Sequence, residues 1–187
     1  LCEEIKEILN SELLSFNIKS KVDYRSNRKI NTNFFLLKDL NHVSKQDLIV
    51  KEFAAFSSSR EMSFNRKGNN FKLKKTYGNL VEIDFLEFFS KNLVFQDYEL
   101  ISKKMHFIVL RKTKQMTEDS KNLLSRFISF IDVLYDNKNI LSIATNIDLK
   151  ELYIGKTNYK EFKRTLSRLR EMGSQAYIEN NLNKRKK

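Results

Sequence analysis

FIVL at residues 107–110, TEDSKNLLSRFISFIDVLYDNKN at 117–139 and ILSIA at 140–144 decide the fold. Phe107 to Leu110 is a continuous apolar run, as carried by a strand covered on both faces. Thr117 is placed to cap a helix, with Glu118 and Asp119 in the first turn, where the helix dipole favours acids. Leu123, Leu124, Phe127, Ile128, Ile131, Leu134 and Tyr135 recur at helical spacing. Asp136-Asn137-Lys138-Asn139 turns the chain, and Ile140 to Ala144 is a second buried strand. Strand, long helix and strand in that order predict a βαβ unit with parallel strands and a right-handed crossover.

Working back toward the amino terminus, Leu86 to Lys91 and Tyr98 to Lys104 read as helices. Residues 60–85 read as a β meander. Met62 and Phe64 alternate with polar residues, Gly68-Asn69-Asn70 turns, Phe71 and Leu73 alternate, Gly78-Asn79 turns, and Val81, Ile83 and Phe85 alternate. Ser44 with Asp47 resembles a capping box that opens a helix reaching Phe56. Leu1 to Asn10 has helical spacing, whereas Leu14, Phe16 and Ile18 alternate as in a strand, and Phe34 to Leu37 is a short strand. Working forward, Asp148 to Ile154 reads as a short helix or turn. A last helix runs from Tyr159 to about Tyr177, with Tyr159, Phe162, Leu166, Leu169 and Met172 on one face. The expected fold class is mixed α/β: a small antiparallel meander followed by a βαβ-plus-helix module. Three regions are expected: 1–33, 34–85 as the β-rich meander, and 86–187 as the α/β module with a basic tail.

Composition bounds the chemistry. The 187 residues include 15 Phe and 7 Tyr within a 41% hydrophobic content, enough to bury a core. A single Cys excludes an internal disulfide framework, and with only two His a closed zinc site is not expected. No metal ligand set and no catalytic nucleophile is predicted. No run of 18 apolar residues suggests a transmembrane helix. The net charge is +12, of which +4 lies in Lys184 to Lys187. Richness in Lys, Asn and Ile with no Pro is a bias of the whole chain, and it accounts for part of that charge. Basic clusters at Lys72-Lys74-Lys75, Lys103-Lys104, Lys112-Lys114 and the tail could touch nucleic acid or anionic lipid. Phe64, Phe71 and Tyr77 are the aromatics close to the first cluster, fewer than an RNA-recognition sheet would carry.

Gly155-Lys156-Thr157 imitates the end of a P-loop, but the position that needs the first glycine is Lys150, so a surface turn is the better reading. His42 and His106 lack acidic or Cys partners at ligand spacing. Arg164, Arg168 and Glu171 fall at i, i+4 and i+7 on the last helix, opposite its apolar stripe. They are either a solvated face with an Arg168–Glu171 pair or a ladder that recognises phosphate or carboxylate.

Three ordered stretches carry a family resemblance. Asp23-Tyr24-Arg25 follows a strand. Asp97-Tyr98 and His106 precede the string from Arg126 to Asp136, and Phe162 to Met172 reads FKRTLSRLREM. Together they resemble the carboxyl-terminal half of the ZapE-type (AFG-like) AAA+ ATPases, bacterial cell-division proteins with mitochondrial relatives. The sequence departs from that pattern at Ser125, where two consecutive Arg are usual, and at Phe88-Phe89 and Val94-Phe95.

The resemblance implies a fragment of a P-loop AAA+ ATPase whose Walker A and Walker B parts lie upstream. Leu1-Cys2-Glu3-Glu4-Ile5 reads as the middle of a helix, in keeping with a chain cut from something longer. ATP and Mg²⁺ would then be held by the upstream half, and this chain alone would not hydrolyse ATP. By the same resemblance Tyr24, Arg25 and Arg126 lie near the nucleotide, with Arg126 a sensor-type arginine. Arg164, Arg168 and Glu171 serve coupling or an interface. Residues 1–33 would be the end of the nucleotide-binding core. The implied partners are the upstream P-loop half, a division protein such as FtsZ, and a second copy in a homo-oligomer. The implied location is the bacterial cytoplasm, peripheral to the inner membrane at the division site, with mitochondria as the alternative. Two further readings stand beside it: a basic nucleic-acid-binding module, and a non-catalytic split-gene remnant.

Overall fold

The structure, a computed structural model, describes residues 43–66 and 69–182, with side chains for 46–66 and 70–182. The described residues lie in one compact unit. The expected helix at Leu1–Asn10, the strands at Leu14–Ile18 and Phe34–Leu37, and the basic tail at Lys184–Lys187 lie outside them.

Helix α1 (Val43–Ala54) precedes strands β1 (Arg60–Arg66), β2 (Asn69–Tyr77) and β3 (Leu80–Asp84). Ser44 lies inside α1 and not at its cap, a correction to the capping-box reading. The meander forms, with Asn69 and Asn70 already paired in β2 and not in the turn expected there: β1 pairs antiparallel with β2 from Arg66↔Asn69, and β2 pairs antiparallel with β3 from Tyr77↔Leu80. Gly78, at φ +63°, takes the left-handed backbone that closes the second hairpin.

The strand expected to run through Phe85 stops one residue earlier. Asp84 Oδ1 accepts from the Glu87 N–H at 3.3 Å and caps α2 (Phe85–Phe89). Phe85, Phe88 and Phe89 are all buried. Spaced i, i+3, i+4, they follow the helical period, which outweighs the Val81-Ile83-Phe85 alternation once a cap is available. Helix α3 (Phe95–Lys104) starts earlier than expected. The Asp97 carboxylate accepts from the Val94 N–H at 3.0 Å and pairs with Arg66 at 2.5 Å.

These two helices return the chain to β4 (Phe107–Thr113), which lies parallel to β3. The 3₁₀ turn Glu118–Ser120 and helix α4 (Lys121–Asp136) then lead to β6 (Ile140–Thr145), parallel to β4. The βαβ unit is therefore present, and a second crossover precedes it. Through the β3–β4 pairing, the meander and the βαβ unit share one five-stranded mixed sheet, in the order β1-β2-β3-β4-β6. Phe107 to Leu110 and all of β6 are buried, as a sheet covered on both faces requires.

The segment expected as a short helix or turn is a 3₁₀ turn (Leu149–Glu151) followed by β7 (Tyr153–Ile154), which pairs parallel with β5 (Met116–Thr117). The last helix is two helices. Helix α5 (Tyr159–Met172) ends where the Gly173 N–H bonds the Leu169 carbonyl at 3.0 Å, and α6 (Gln175–Leu182) follows. The run that apolar periodicity alone extends to Tyr177 breaks at Gly173 and Ser174, between the two helices.

Aromatic rings fill the centre. Phe130 of α4 lies 5.1 Å from Phe88, 5.7 Å from Phe89 and 5.3 Å from Tyr98, centroid to centroid. Phe127 lies 5.8 Å from both Phe85 and Phe89. This ring cluster joins the two crossovers, because α2 and α3 belong to the first and α4 to the second.

Candidate functional site

The sequence-derived site residues divide into two sets, one on α4 and one on α5, and the two sets share no partner. Arg126 stands in the first half of the helix. Its Nη1 donates to the Phe89 carbonyl at 2.8 Å and its Nη2 to Asn92 Oδ1 at 2.7 Å. A guanidinium is a rigid five-donor fork, and here one donor meets the last carbonyl of α2, which lacks a partner within the helix, while another holds Asn92 just beyond it. Arg126 also borders a shallow hollow of about 500 Å³ lined by Phe89, Ser90, Asp119, Ser120 and Lys121.

Next to it, the Tyr98 hydroxyl is buried with no hydrogen-bond partner among the described residues. Burial pushes its pKa up to about 12, and the nearby Arg126 charge opposes that rise. Asp97-Tyr98, two residues of the family-like pattern, thus have separate tasks. Asp97 fixes the start of α3 and holds Arg66, while Tyr98 packs its ring into the aromatic centre.

The second set is the ladder on α5. Arg164 Nη2 lies 2.8 Å from Asp132 Oδ2, and Arg168 Nη1 lies 2.5 Å from Asp132 Oδ1. Arg168 also sits over the Tyr135 ring, 4.9 Å from its centroid, and 3.9 Å from Asp136. Glu171 accepts from the Tyr135 hydroxyl at 2.8 Å. That bond to Glu171, with burial, raises the Tyr135 pKa. Arg164, Arg168 and Glu171 at i, i+4 and i+7 of α5 thus face Asp132, Tyr135 and Asp136 at i, i+3 and i+4 of α4. The ladder ties one helix to another, and Glu171 is held across the seam by Tyr135.

Sequence reasoning missed Asp132, because it took the string from Arg126 to Asp136 as a whole and assigned Tyr135 to the apolar stripe. The available signal was the acid spacing Asp132/Asp136, which matches the Arg164/Arg168 spacing on the following helix.

Gly155-Lys156-Thr157 is a turn whose N–H groups are filled from within the chain. Glu118 Oε1 accepts from the Lys156 N–H at 2.6 Å and from the Thr157 N–H at 3.1 Å. These two backbone bonds hold the Glu118 carboxyl below its usual range. The Tyr153 hydroxyl donates to the Thr157 carbonyl. The Glu118 carboxylate therefore engages both N–H groups, and the turn does not offer them to a phosphate.

Tyr24 and Arg25 lie outside the described residues. Among the described residues, no three or more His, Cys, Asp or Glu gather to hold a metal ion. No helix among them is long and apolar enough to cross a membrane.

A family model described as AFG1-like ATPase matches residues 3–181, nearly the whole chain. The chain belongs to that ATPase family. Cell division protein ZapE of Escherichia coli K12 is 34% identical over 82 residues, which cover 44% of this chain and 22% of that protein. ZapE of Escherichia coli O157:H7 aligns to the same extent. An uncharacterized protein of Schizosaccharomyces pombe is 27% identical over 86 residues, or 46% of this chain and 19% of that protein. The aligned part thus spans less than a quarter of the length of these curated relatives. No solved structure matches the chain.

Proposed function

We propose that this chain is the carboxyl-terminal portion of a ZapE-like ATPase, which couples ATP binding and hydrolysis to cell-division or membrane-associated protein machinery. The observation that carries the reading is the family match over residues 3–181. In this reading ATP and Mg²⁺ are held by an upstream P-loop half, which supplies the phosphate cradle and metal site that phosphoryl transfer needs. The Gly155-Lys156-Thr157 turn does not supply that cradle, because Glu118 fills it. This reading assigns the catalytic residues to the upstream half and expects the chain on its own not to hydrolyse ATP.

The coupling path in this reading runs through α4. Three of the five Arg126 N–H donors make no bond to Phe89 or Asn92, and they are the ones offered to nucleotide phosphates, with Tyr24 and Arg25 beside the same ligand. At the other end of α4, the seam with Arg164, Arg168 and Glu171 passes a shift of the helix to a partner, a division protein such as FtsZ or a second copy of the ATPase. The site of action is the bacterial cytoplasm at the division site.

The test joins this chain to the P-loop half of a ZapE-type protein and measures phosphate release and nucleotide affinity. The joined protein is expected to hydrolyse ATP, and Arg126→Ala to weaken nucleotide binding. No hydrolysis, together with an unchanged affinity in Arg126→Ala, would remove the reading.

A further inference from the structure

The carboxyl ends of β3, β4 and β6 open into a cleft of about 890 Å³. In open sheets with parallel strands, ligands occupy the crevice beyond those strand ends. Here β2 and the amino-terminal part of α1 complete the walls.

Three features single out residues 110–114 within it. The β4–β6 register slips between Leu110 and Thr113. A bulge of this kind re-aims the side chains beside it. Lys112 takes φ +53°, the left-handed region that a residue with a Cβ seldom enters, and such strain collects at ligand sites. Lys114, next along, has no ion-pair partner among the described residues and is exposed.

Unpartnered polar atoms form the second, independent observation. Thr113 is 5% exposed and Gln46 is fully buried, yet Thr113 Oγ1 and Gln46 Oε1 have no hydrogen-bond partner among the described residues. Arg111 Nε is a third such atom. The other half of each group is engaged. Gln46 Nε2 donates to the Leu110 and Ser142 carbonyls at 3.0 and 3.1 Å, so its oxygen is fixed as the free end. Arg111 Nη1 and Nη2 hold Asp47 at 2.5 Å and Glu82 at 3.2 Å. Buried polar groups are nearly always satisfied, so three orphans lining one cleft call for a ligand that supplies partners.

Charge sets the class of that ligand. Seven Lys and Arg line the cleft against four Asp and Glu. All four acids are already paired: Asp47 and Glu82 as above, Asp84 with Lys112 at 3.1 Å, and Glu87 with Lys74 at 2.7 Å. The acids hold the cations in place, and the surplus is positive. Thr113 and Arg111 offer donors, Lys114 offers a free ammonium, and Gln46 Oε1 needs a donor.

We propose that this cleft binds a small phosphate ester that carries a hydroxyl group. The phosphate accepts from Thr113, Arg111 and Lys114, and the ester's hydroxyl donates to Gln46. The site lies wholly within the described residues and is independent of the ATPase reading, since it needs no upstream half.

The test is calorimetric titration of the full 187-residue chain with ribose 5-phosphate at low ionic strength, with amide shifts read by NMR. One saturable site per chain is expected, with the largest amide shifts at residues 110–114. Ribose without the phosphate should not bind. Thr113→Val and Lys114→Gln should each weaken binding about tenfold, the size of one lost hydrogen bond to a charged group. Lys103→Gln, a charge change on α3 outside the cleft, should leave binding unchanged. Lys114 is exposed, so Lys114→Gln keeps the test valid if Thr113→Val folds poorly. Absence of a saturable site would overturn the proposal. Equal weakening by Lys103→Gln and Lys114→Gln would also overturn it, because binding would then be diffuse surface charge.

Discussion

Helix α4 meets its neighbours on two sides in opposite ways. Toward α2 and α3 it presents rings: Phe127 and Phe130 lie against Phe85, Phe88, Phe89 and Tyr98, and Phe130 is fully buried. Toward α5 it presents charges and a hydroxyl: Asp132, Tyr135 and Asp136 meet Arg164, Arg168 and Glu171. A close-packed aromatic contact has one arrangement and loses much when any ring is cut back. A half-exposed ionic seam contributes little to stability and can exchange partners at small cost. One helix therefore has a fixed side and an adjustable side, which suits an element that must stay folded while it changes what it touches.

The largest effect should come from breaking the fixed side. Phe130→Ala should cost about 3–5 kcal/mol, read as a drop in the urea midpoint of unfolding. Hydrogen exchange should quicken in α2 and α3 as well as in α4. If α2 and α3 keep their protection, the ring cluster does not join the two crossovers.

On the adjustable side, Asp132→Asn should cost about 1 kcal/mol, since both arginines lose a partner that is only partly shielded from water. Raised salt should narrow the gap between that variant and the parent chain. A loss as large as that of Phe130→Ala would erase the distinction between the two sides.

Tyr98→Phe should leave stability unchanged or slightly improved, because the hydroxyl it removes is buried without a partner. A clear loss would mean that a bound water or ligand satisfies that hydroxyl.

The most local effect concerns pH. Folding lowers the Glu118 pKa from its ordinary value of 4.5, through the Lys156 and Thr157 N–H groups. Its contribution is therefore complete above that value and is lost as pH falls through the lower, folded one. The urea midpoint of Glu118→Gln should lie below that of the parent chain at neutral pH, and the two should converge under acid conditions. A gap that does not change with pH would show that the carboxylate charge plays no part in the turn.

The sequence was most legible where one period dominates. The run Phe107 to Leu110, the stripe on α4 and the run Ile140 to Ala144 each follow a single rule, and the βαβ unit forms as that rule requires. It was least legible around Asp84, where strand alternation and helical spacing both include Phe85, and a cap decides between them. The β3–β4 pairing was hidden for a different reason, since pairing across two short helices leaves no local trace. In the candidate site, the spacing of Arg164, Arg168 and Glu171 was visible, but their partners on α4 are residues that one helix's pattern cannot reveal. The unpartnered Gln46 and Thr113 atoms were beyond sequence reading, because a missing partner becomes visible only once every neighbour is placed.

Two glycines described earlier differ in what they would permit in a saturation library. At Gly78 the constraint is the backbone angle: φ is +63° and no atom lies within 4 Å of where a Cβ would stand. Asparagine, which enters that region most readily, should survive there and give a soluble product. At Gly155 the constraint is space, because a Cβ would overlap the Tyr153 ring and come within 2.7 Å of Glu118 Cγ. Alanine at Gly155 would have to push apart the Tyr153 and Glu118 side chains that pin the turn. Variants there should be depleted from the soluble pool whatever the incoming residue, so a ranking of alleles by side-chain chemistry would hold at Gly78 and fail at Gly155.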